Sequence, residues 1–383
     1  MRQRPFHILA VRFSSLGDVI LCSPVLSFIK QRWGDRVHLS LMTSKTFAPL
    51  MEGHPHIDSI HTISRQRGIG GAREVLRVLK EINKERKVDL LLDLHGTLRS
   101  LLMRIAFPSI PRICLDKRTP ERMILTLLKA DFLSAQGPLG RAKGFGELLV
   151  ERNSRDFQHV LDADFDRETL STFIERDSDK KRYQGQLTSC SSAFKNPIQG
   201  LFEKFPELQT NRYICVVPSA SFPEKRWPAQ KFKEILERLL SDKEYVSRQF
   251  VILAGPDDDF CRIFDSLELS FPGRFFNLQG KTNLLESAIL LKHAAFCMGN
   301  DTGLPHIAES VGTPAIFILG PTGEEFGFYP HLYLSKMISL KMWCRPCTTN
   351  GKGRCLRNRR HCLEDISVEQ VLSVMKEMMG VTV

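Results

Sequence analysis

Short apolar runs alternate along this chain with longer stretches in which apolar positions recur every three or four residues. In the first part, His7–Val11, His38–Met42, Ser59–Ile63 and Asp89–Leu94 read as strands, and about Pro24–Arg32 and Gly71–Glu85 as helices. This is the alternation of βαβ units, so a parallel sheet is expected. A polar, Ser- and Lys-rich segment from Glu175 to Pro197 breaks the pattern and reads as a linker or surface excursion. The alternation then resumes. Strands are expected at Tyr213–Val217, Gln249–Leu253, Phe275–Asn277, Ala295–Met298 and Ala315–Leu319, with helices near Ala229–Leu240, Asp257–Glu268, Leu284–His293 and Leu304–Val311. Near the C-terminus, Ser367 and Gln370 have capping-box spacing ahead of an apolar stripe, which marks a terminal helix in need of a surface to cover. There is no internal repeat of 20 to 50 residues. The fold class is therefore α/β, with two doubly wound domains.

Composition narrows the function. The chain has 383 residues, 42% of them hydrophobic and 25% charged, enough for two domains with sizeable cores. No stretch approaches the roughly 18 apolar residues of a spanning helix, and the apolar start is too short for a signal peptide, so a cytoplasmic address is expected. Six of the ten cysteines are scattered singly in apolar contexts, which suits reduced core thiols. The formal net charge of +11 calls for an acidic partner: nucleic acid, a phosphorylated ligand or an anionic membrane surface.

Four stretches carry chemistry. The first, Ser14-Ser15-Leu16-Gly17-Asp18-Val19, follows the first strand and puts a carboxylate at the mouth of a strand-to-helix turn, where open α/β sheets bind ligands. It lacks G-x-G-x-x-G, which disfavours a nicotinamide enzyme. In Met298–Thr322 a strand leads through Asn300-Asp301-Thr302-Gly303 into a helix with Pro305 in its first turn and Gly312 at its end. Such a helix start can bind an anion through Thr302 and the Gly303 backbone; alternatively Asp301 or Thr302 merely caps it. Val216–Phe232 brings Ser219, Ser221, Lys225 and Arg226 ahead of a second helix start, a phosphate loop or a solvated basic loop. Leu253–Phe260 ends a strand in a glycine turn with three acids, which could bond a ribose or simply favour a first helical turn. Separately, Cys344, Cys347, Cys355 and Cys362 could close a thiolate site for structural zinc, remain free thiols, or, with Arg357, Arg359 and Arg360, form a basic zinc module for nucleic acid.

Taken together, "RFSSLGDVILCSPVL", "LLDLHGTLRS", "PSASFPEKRWP" and "GNDTGLPHIAESVGTPAIFILGPT" resemble glycosyltransferase family 9, the lipopolysaccharide heptosyltransferases, in matching order over nearly the whole chain. The resemblance implies a GT-B architecture of two Rossmann-like domains facing a cleft. It assigns 1–185 to an acceptor-binding domain, 186–364 to a nucleotide-sugar-binding domain, and 365–383 to a helix packing back. It also implies inverting transfer of heptose from ADP-heptose to the lipid A–Kdo inner core, at the cytoplasmic face of the inner membrane, by a peripheral protein that binds no nucleic acid. The alternatives are another sugar nucleotide or acceptor on the same fold, a catalytically dead sugar-binding protein, and the basic zinc module.

By the same resemblance Asp18 is the catalytic base. Arg12, Lys225, Asp258 (or its neighbour Asp257), Asp301, Thr302, Gly303 and His306 bind the donor. Ser14, Ser15, Arg65, Arg67, Arg99 and Arg118 face the acceptor. No cofactor is required for catalysis, since a lysine and fixed N–H donors neutralise the leaving diphosphate; the cysteines would hold zinc only as a structural ion.

Overall fold

A computed structural model describes residues 4–64, 68–114, 126, 195–323, 330 and 332–381. The expected domain boundary, most of the expected linker, and Arg65, Arg67 and Arg118 lie outside these residues. The chain divides into two compact units, one holding the described residues up to Cys114 and the other those from Lys195 on.

The first unit runs β1 (Phe6–Val11), α1 (Leu16–Trp33), β2 (Val37–Ser44), α2 (Ala48–Met51), β3 (Ser59–Ile63), α3 (Gly68–Glu85), β4 (Leu90–Asp93), α4 (Leu98–Ala106) and β5 (Arg112–Cys114). All pairings are parallel, in the order β3-β2-β1-β4-β5. The chain reverses direction across the sheet between β1 and β4, and at such a switch point the strand ends diverge to leave a ligand site. Val11 pairs with Asp93 there, so the loops after β1 and β4 leave the sheet side by side. Leu9, Val11, Val75, Leu79 and Met103 form the core under α3 and α4. α1 begins eight residues before the expected start at Pro24. Proline denies one carbonyl its partner, yet Val19, Ile20, Cys22, Val25 and Leu26 are all buried along the helix, and that burial outweighs the missing bond.

The second unit opens with α5 (Lys195–Lys204), which starts inside the segment expected to be linker. It continues with β6 (Tyr213–Val217), α6 (Ala229–Ser241), β7 (Gln249–Ile252), α7 (Asp265–Ser270), β8 (Phe275–Asn277), α8 (Leu284–Lys292), β9 (Phe296–Asn300), α9 (Gly303–Ser310), β10 (Ala315–Ile318), β11 (Lys336–Ile338), α10 (His361–Glu364) and α11 (Val368–Val381). The helix expected over Asp257–Glu268 is a 3-10 helix at Asp259–Phe264 followed by α7. The sheet order is β11-β10-β9-β6-β7-β8, again parallel throughout, with its switch point between β6 and β9. Gly299 of β9 pairs with Val217 of β6, and a Cβ at Gly299 would stand 2.8 Å from both Val217 Cβ and its carbonyl oxygen. Only glycine lets the two strand ends run this close. The capping box before α11 is formed: the Ser367 N–H donates to Gln370 Oε1 at 2.9 Å, and the Gln370 N–H to Ser367 Oγ at 3.1 Å. The surface α11 covers is in this unit, where Val371, Met375 and Met378 join Trp227, Phe232 and Ile235 in one core.

Candidate active site

Most of the expected catalytic and substrate-binding residues that the structure describes lie at the two switch points. In the first unit, Asp18 sits in the opening turn of α1, and its Oδ2 receives three groups. The Ser15 N–H donates at 2.9 Å, the Ser15 hydroxyl at 2.7 Å, and an Arg12 guanidinium nitrogen lies 2.5 Å away. Capping and catalysis are thus not alternatives here, because the two Ser15 donors that make the cap both fall on one oxygen, Oδ2. Burial favours the neutral acid, but the Arg12 charge and the two Ser15 donors outweigh it and hold the carboxyl below the ordinary aspartate range. Arg12, expected beside the donor phosphates, has its guanidinium on Asp18 and on the Leu94 carbonyl of the loop after β4. It therefore aims the carboxylate and ties the β1 and β4 loops together. The β4 loop is shaped in turn by buried Asp93, whose Oδ1 accepts the His95 N–H at 3.0 Å and the Gly96 N–H at 2.8 Å; His95 packs edge-on against Phe13. Ser14 is half-buried in the same turn, and Arg99 stands half-buried in the first turn of α4.

In the second unit, Lys225 and Asp301 come from opposite sides of the switch point. Lys225 Nζ lies 2.5 Å from Asp301 Oδ2, which also accepts the Thr322 hydroxyl at 2.9 Å, and His306 Nε2 is 3.7 Å from Oδ1. Asp301 is 3% exposed; burial alone would neutralise it, but His306 and Lys225 together hold it well below the usual carboxylate range. Asp301 is therefore an ion-pair partner rather than a helix cap. Thr302 occupies the N-cap of α9 with no side-chain capping bond, and the Gly303 and Leu304 N–H groups lie at the positive end of the helix. Asn300 fixes the approach of the two loops, as its amide donates to the Pro218 carbonyl at 2.6 Å and its Oδ1 accepts the Trp227 N–H at 2.9 Å.

Asp258, expected at the ribose, also has partners within the protein. Its Oδ2 accepts from the Ser219 hydroxyl at 2.6 Å and the Gly255 N–H at 2.8 Å, and its Oδ1 lies 3.5 Å from Arg226. It braces the loops after β6 and β7, whereas Asp257 beside it is exposed.

The cysteine segment is not a separate module. The Cys347 N–H donates to the Pro321 carbonyl at 3.0 Å, Arg345 to the Thr322 carbonyl at 3.0 Å, and Arg360 to the Pro223 carbonyl. Burial pushes the Cys362 thiol up to about 11, with the other three cysteines close enough to add to the rise. Among the described residues, however, no group of three or more His, Cys, Asp or Glu is placed to hold a metal ion. Sequence reasoning missed Asn300, Thr322, Arg345 and the Leu94 carbonyl as parts of the site. Asn300, Thr322 and Leu94 had no signal beyond membership in the quoted motifs, and Arg345 none beyond its place between Cys344 and Cys347, since what they do depends on partners far away in the chain.

Comparison with known proteins fits this geometry. The family model of glycosyltransferase family 9 (heptosyltransferase) matches residues 75–354. The chain belongs to that family. It is 25% identical over 317 residues to lipopolysaccharide heptosyltransferase 3 of Escherichia coli K12, covering 81% of each protein. Its fold matches a family 9 glycosyltransferase from Veillonella parvula with a TM-score of 0.66 at 17% identity, over 100% of this chain and 99% of the other. It also matches E. coli ADP-heptose LPS heptosyltransferase II with a TM-score of 0.64 at 18% identity, over 98% and 99%. As a family 9 member it is a glycosyltransferase with the GT-B type of α/β fold. No helix among the described residues of this glycosyltransferase is long and apolar enough to cross a membrane.

Proposed function

We propose that this glycosyltransferase moves a heptose from ADP-heptose, with inversion, onto a hydroxyl of the lipid A–Kdo inner core. Supporting this reading is the division of chemistry between the switch points: a carboxylate held ionised beside Arg12 in the first unit, and a lysine near a helix start whose N-cap makes no side-chain capping bond in the second. In the proposed reaction the acceptor oxygen attacks the anomeric carbon while its proton passes to Asp18 Oδ1. The bond from that carbon to the diphosphate oxygen breaks, and ADP leaves with the electron pair. Charge on the diphosphate grows through this step, so Lys225 and the Gly303 and Leu304 N–H groups bind it more strongly in the transition state than in the ground state. These groups make a divalent cation unnecessary in our reading. Asp301, between Lys225 and His306, faces the donor hydroxyls, and Asp258 or its neighbour Asp257 serves the ribose.

The acceptor carries phosphates and acidic sugars at a membrane surface. The exposed Arg73 and Arg77 of α3 suit that surface, as does the exposed Ile69 at the start of the helix, and we read this face as the one that meets anionic lipid as a peripheral contact. The test is incubation with ADP-heptose and a panel of truncated lipid A–core acceptors, with mass detection of the product. Addition of one heptose to a Kdo-terminated acceptor is expected. Heptose transfer to none of the panel, with turnover of another sugar nucleotide, refutes the donor and acceptor assignment.

A further inference from the structure

The segment that carries the four cysteines also touches the lysine on which donor binding depends. Gly351 is buried, with φ +87°, in a tight loop held by Thr348: the Gly351 N–H donates to Thr348 Oγ1 at 3.2 Å, and that hydroxyl donates to the Lys352 carbonyl at 3.0 Å. A Cβ at Gly351 would lie 2.3 Å from Lys225 Cδ and 2.5 Å from Lys225 Cγ. Ordinary contact begins at 3.4 Å, so a single methyl group would have to drive the middle of the lysine stem away by about 1 Å. The displaced atoms lie between the backbone and the ammonium, and Nζ moves with them. Two residues on, Gly353 has φ +125° and nothing within 4 Å of a Cβ. The two glycines therefore share the backbone requirement, and only one of them also needs to be small for Lys225.

The rest of the segment grips the same region. Arg345 and the Cys347 N–H hold the Pro321-Thr322 carbonyls beside the Thr322 hydroxyl that binds Asp301, and Arg360 holds the Pro223 carbonyl at the start of the turn that bears Lys225.

We propose that Gly351 is a positioning residue for Lys225: the flat wall it presents sets the course of the lysine stem, so that the ammonium reaches Asp301 and the diphosphate together. This rests on the reading of Lys225 as a donor-phosphate ligand. Misplacing a charged group by about 1 Å at a reacting centre can cost on the order of 10² in rate.

The test compares Gly351→Ala, Gly353→Ala, Lys225→Ala and the double variant Gly351→Ala/Lys225→Ala by calorimetric titration with ADP, steady-state transfer rates and thermal unfolding. Lys225→Ala is expected to weaken ADP at least tenfold and to lower kcat. Gly351→Ala should reproduce most of both losses, while Gly353→Ala stays within twofold of the parent. The double variant should bind ADP no worse than Lys225→Ala alone, because the stem that Gly351→Ala displaces is gone. For the same reason, Gly351→Ala in the Lys225→Ala background should lower the melting temperature only as much as Gly353→Ala does. That comparison decides the matter even if Gly351→Ala alone fails to fold. Parent-like ADP binding by Gly351→Ala, or losses that multiply in the double variant, overturn the proposal. If Lys225→Ala itself leaves ADP binding and kcat unchanged, the donor-site reading is what fails, and the positioning role falls with it.

Discussion

Replacing Asp18 by Asn separates the two duties of this side chain. All three contacts to Asp18 arrive at Oδ2, from the Ser15 N–H, the Ser15 hydroxyl and Arg12. An asparagine oxygen can take that place, which leaves the amide NH2 where Oδ1 was, so a group that accepts a proton becomes one that cannot. Loss of a positioned general base costs roughly 10² to 10⁴ in rate, and kcat should fall by that amount. Stability should fall less. Arg12, 7% exposed at its side chain, keeps its hydrogen bonds but loses its counter-charge, for which about 1–3 kcal/mol is expected. ADP affinity should stay within about twofold, since Lys225 and the start of α9 belong to the second unit. Initial rates with saturating ADP-heptose, ADP titration calorimetry and urea denaturation measure the three quantities. If Asp18→Asn retains more than about half of the parent rate, Asp18 is not the base. The carboxyl is held below the ordinary aspartate range, so it remains ionised from about pH 5 upward, and the acid limb of kcat should show no group of Asp18 character titrating between pH 5 and 7.

Asp301→Asn should be the more damaging change to the fold, on the order of 3 kcal/mol, because it leaves Lys225 without its buried partner; urea midpoints read this, and a loss under about 1 kcal/mol contradicts the pairing. His7 and His54 are 1% and 3% exposed, and burial pushes each down to about 4. The unfolded chain therefore takes up protons first as pH falls, and stability should drop from about pH 6.5 downward by up to about 2 kcal/mol per histidine at pH 5; a flat stability profile over that window refutes it. Transfer should survive exhaustive treatment with a chelator, and loss of activity restored by one divalent cation would defeat the assignment of Lys225 and the helix start as sufficient for the leaving group. Reversing charge at Arg73 and Arg77 should weaken co-sedimentation with anionic vesicles by about tenfold or more at low salt, with neutral vesicles unaffected; salt-insensitive binding counts against electrostatic docking.

The strands and most of the helices were legible in the sequence because a parallel strand buried on both faces must be an unbroken apolar run. Tyr213–Val217, buried along its whole length, falls where the apolar pattern puts it. The placement of Asp18, Lys225 and the Asn300–Gly303 turn was legible too, since each lies in a strand-to-helix turn where local order alone places it at the ligand end of a sheet. α5 and the first two turns of α1 were not. The start of α1 forms helix with Val19, Ile20 and Cys22 buried and α5 with Leu201 buried, and neither the polar run before Lys195 nor the internal Pro24 discloses that packing. Partnership was likewise beyond the sequence. Arg12 bonds Leu94 from 82 positions away, and Asp258 meets Ser219 across 39. Only the order of strands in the two sheets brings such groups together, and that order sets Arg12 against Asp18 and Leu94, and Asp258 between the loops after β6 and β7. The cysteine segment carries the same lesson: its spacing suggested a metal, whereas the folded chain sets a glycine from that segment against the stem of Lys225. A side chain's type constrains the chemistry it can perform, but which task it performs depends on what stands within about 3 Å of it, and that is a property of the tertiary fold.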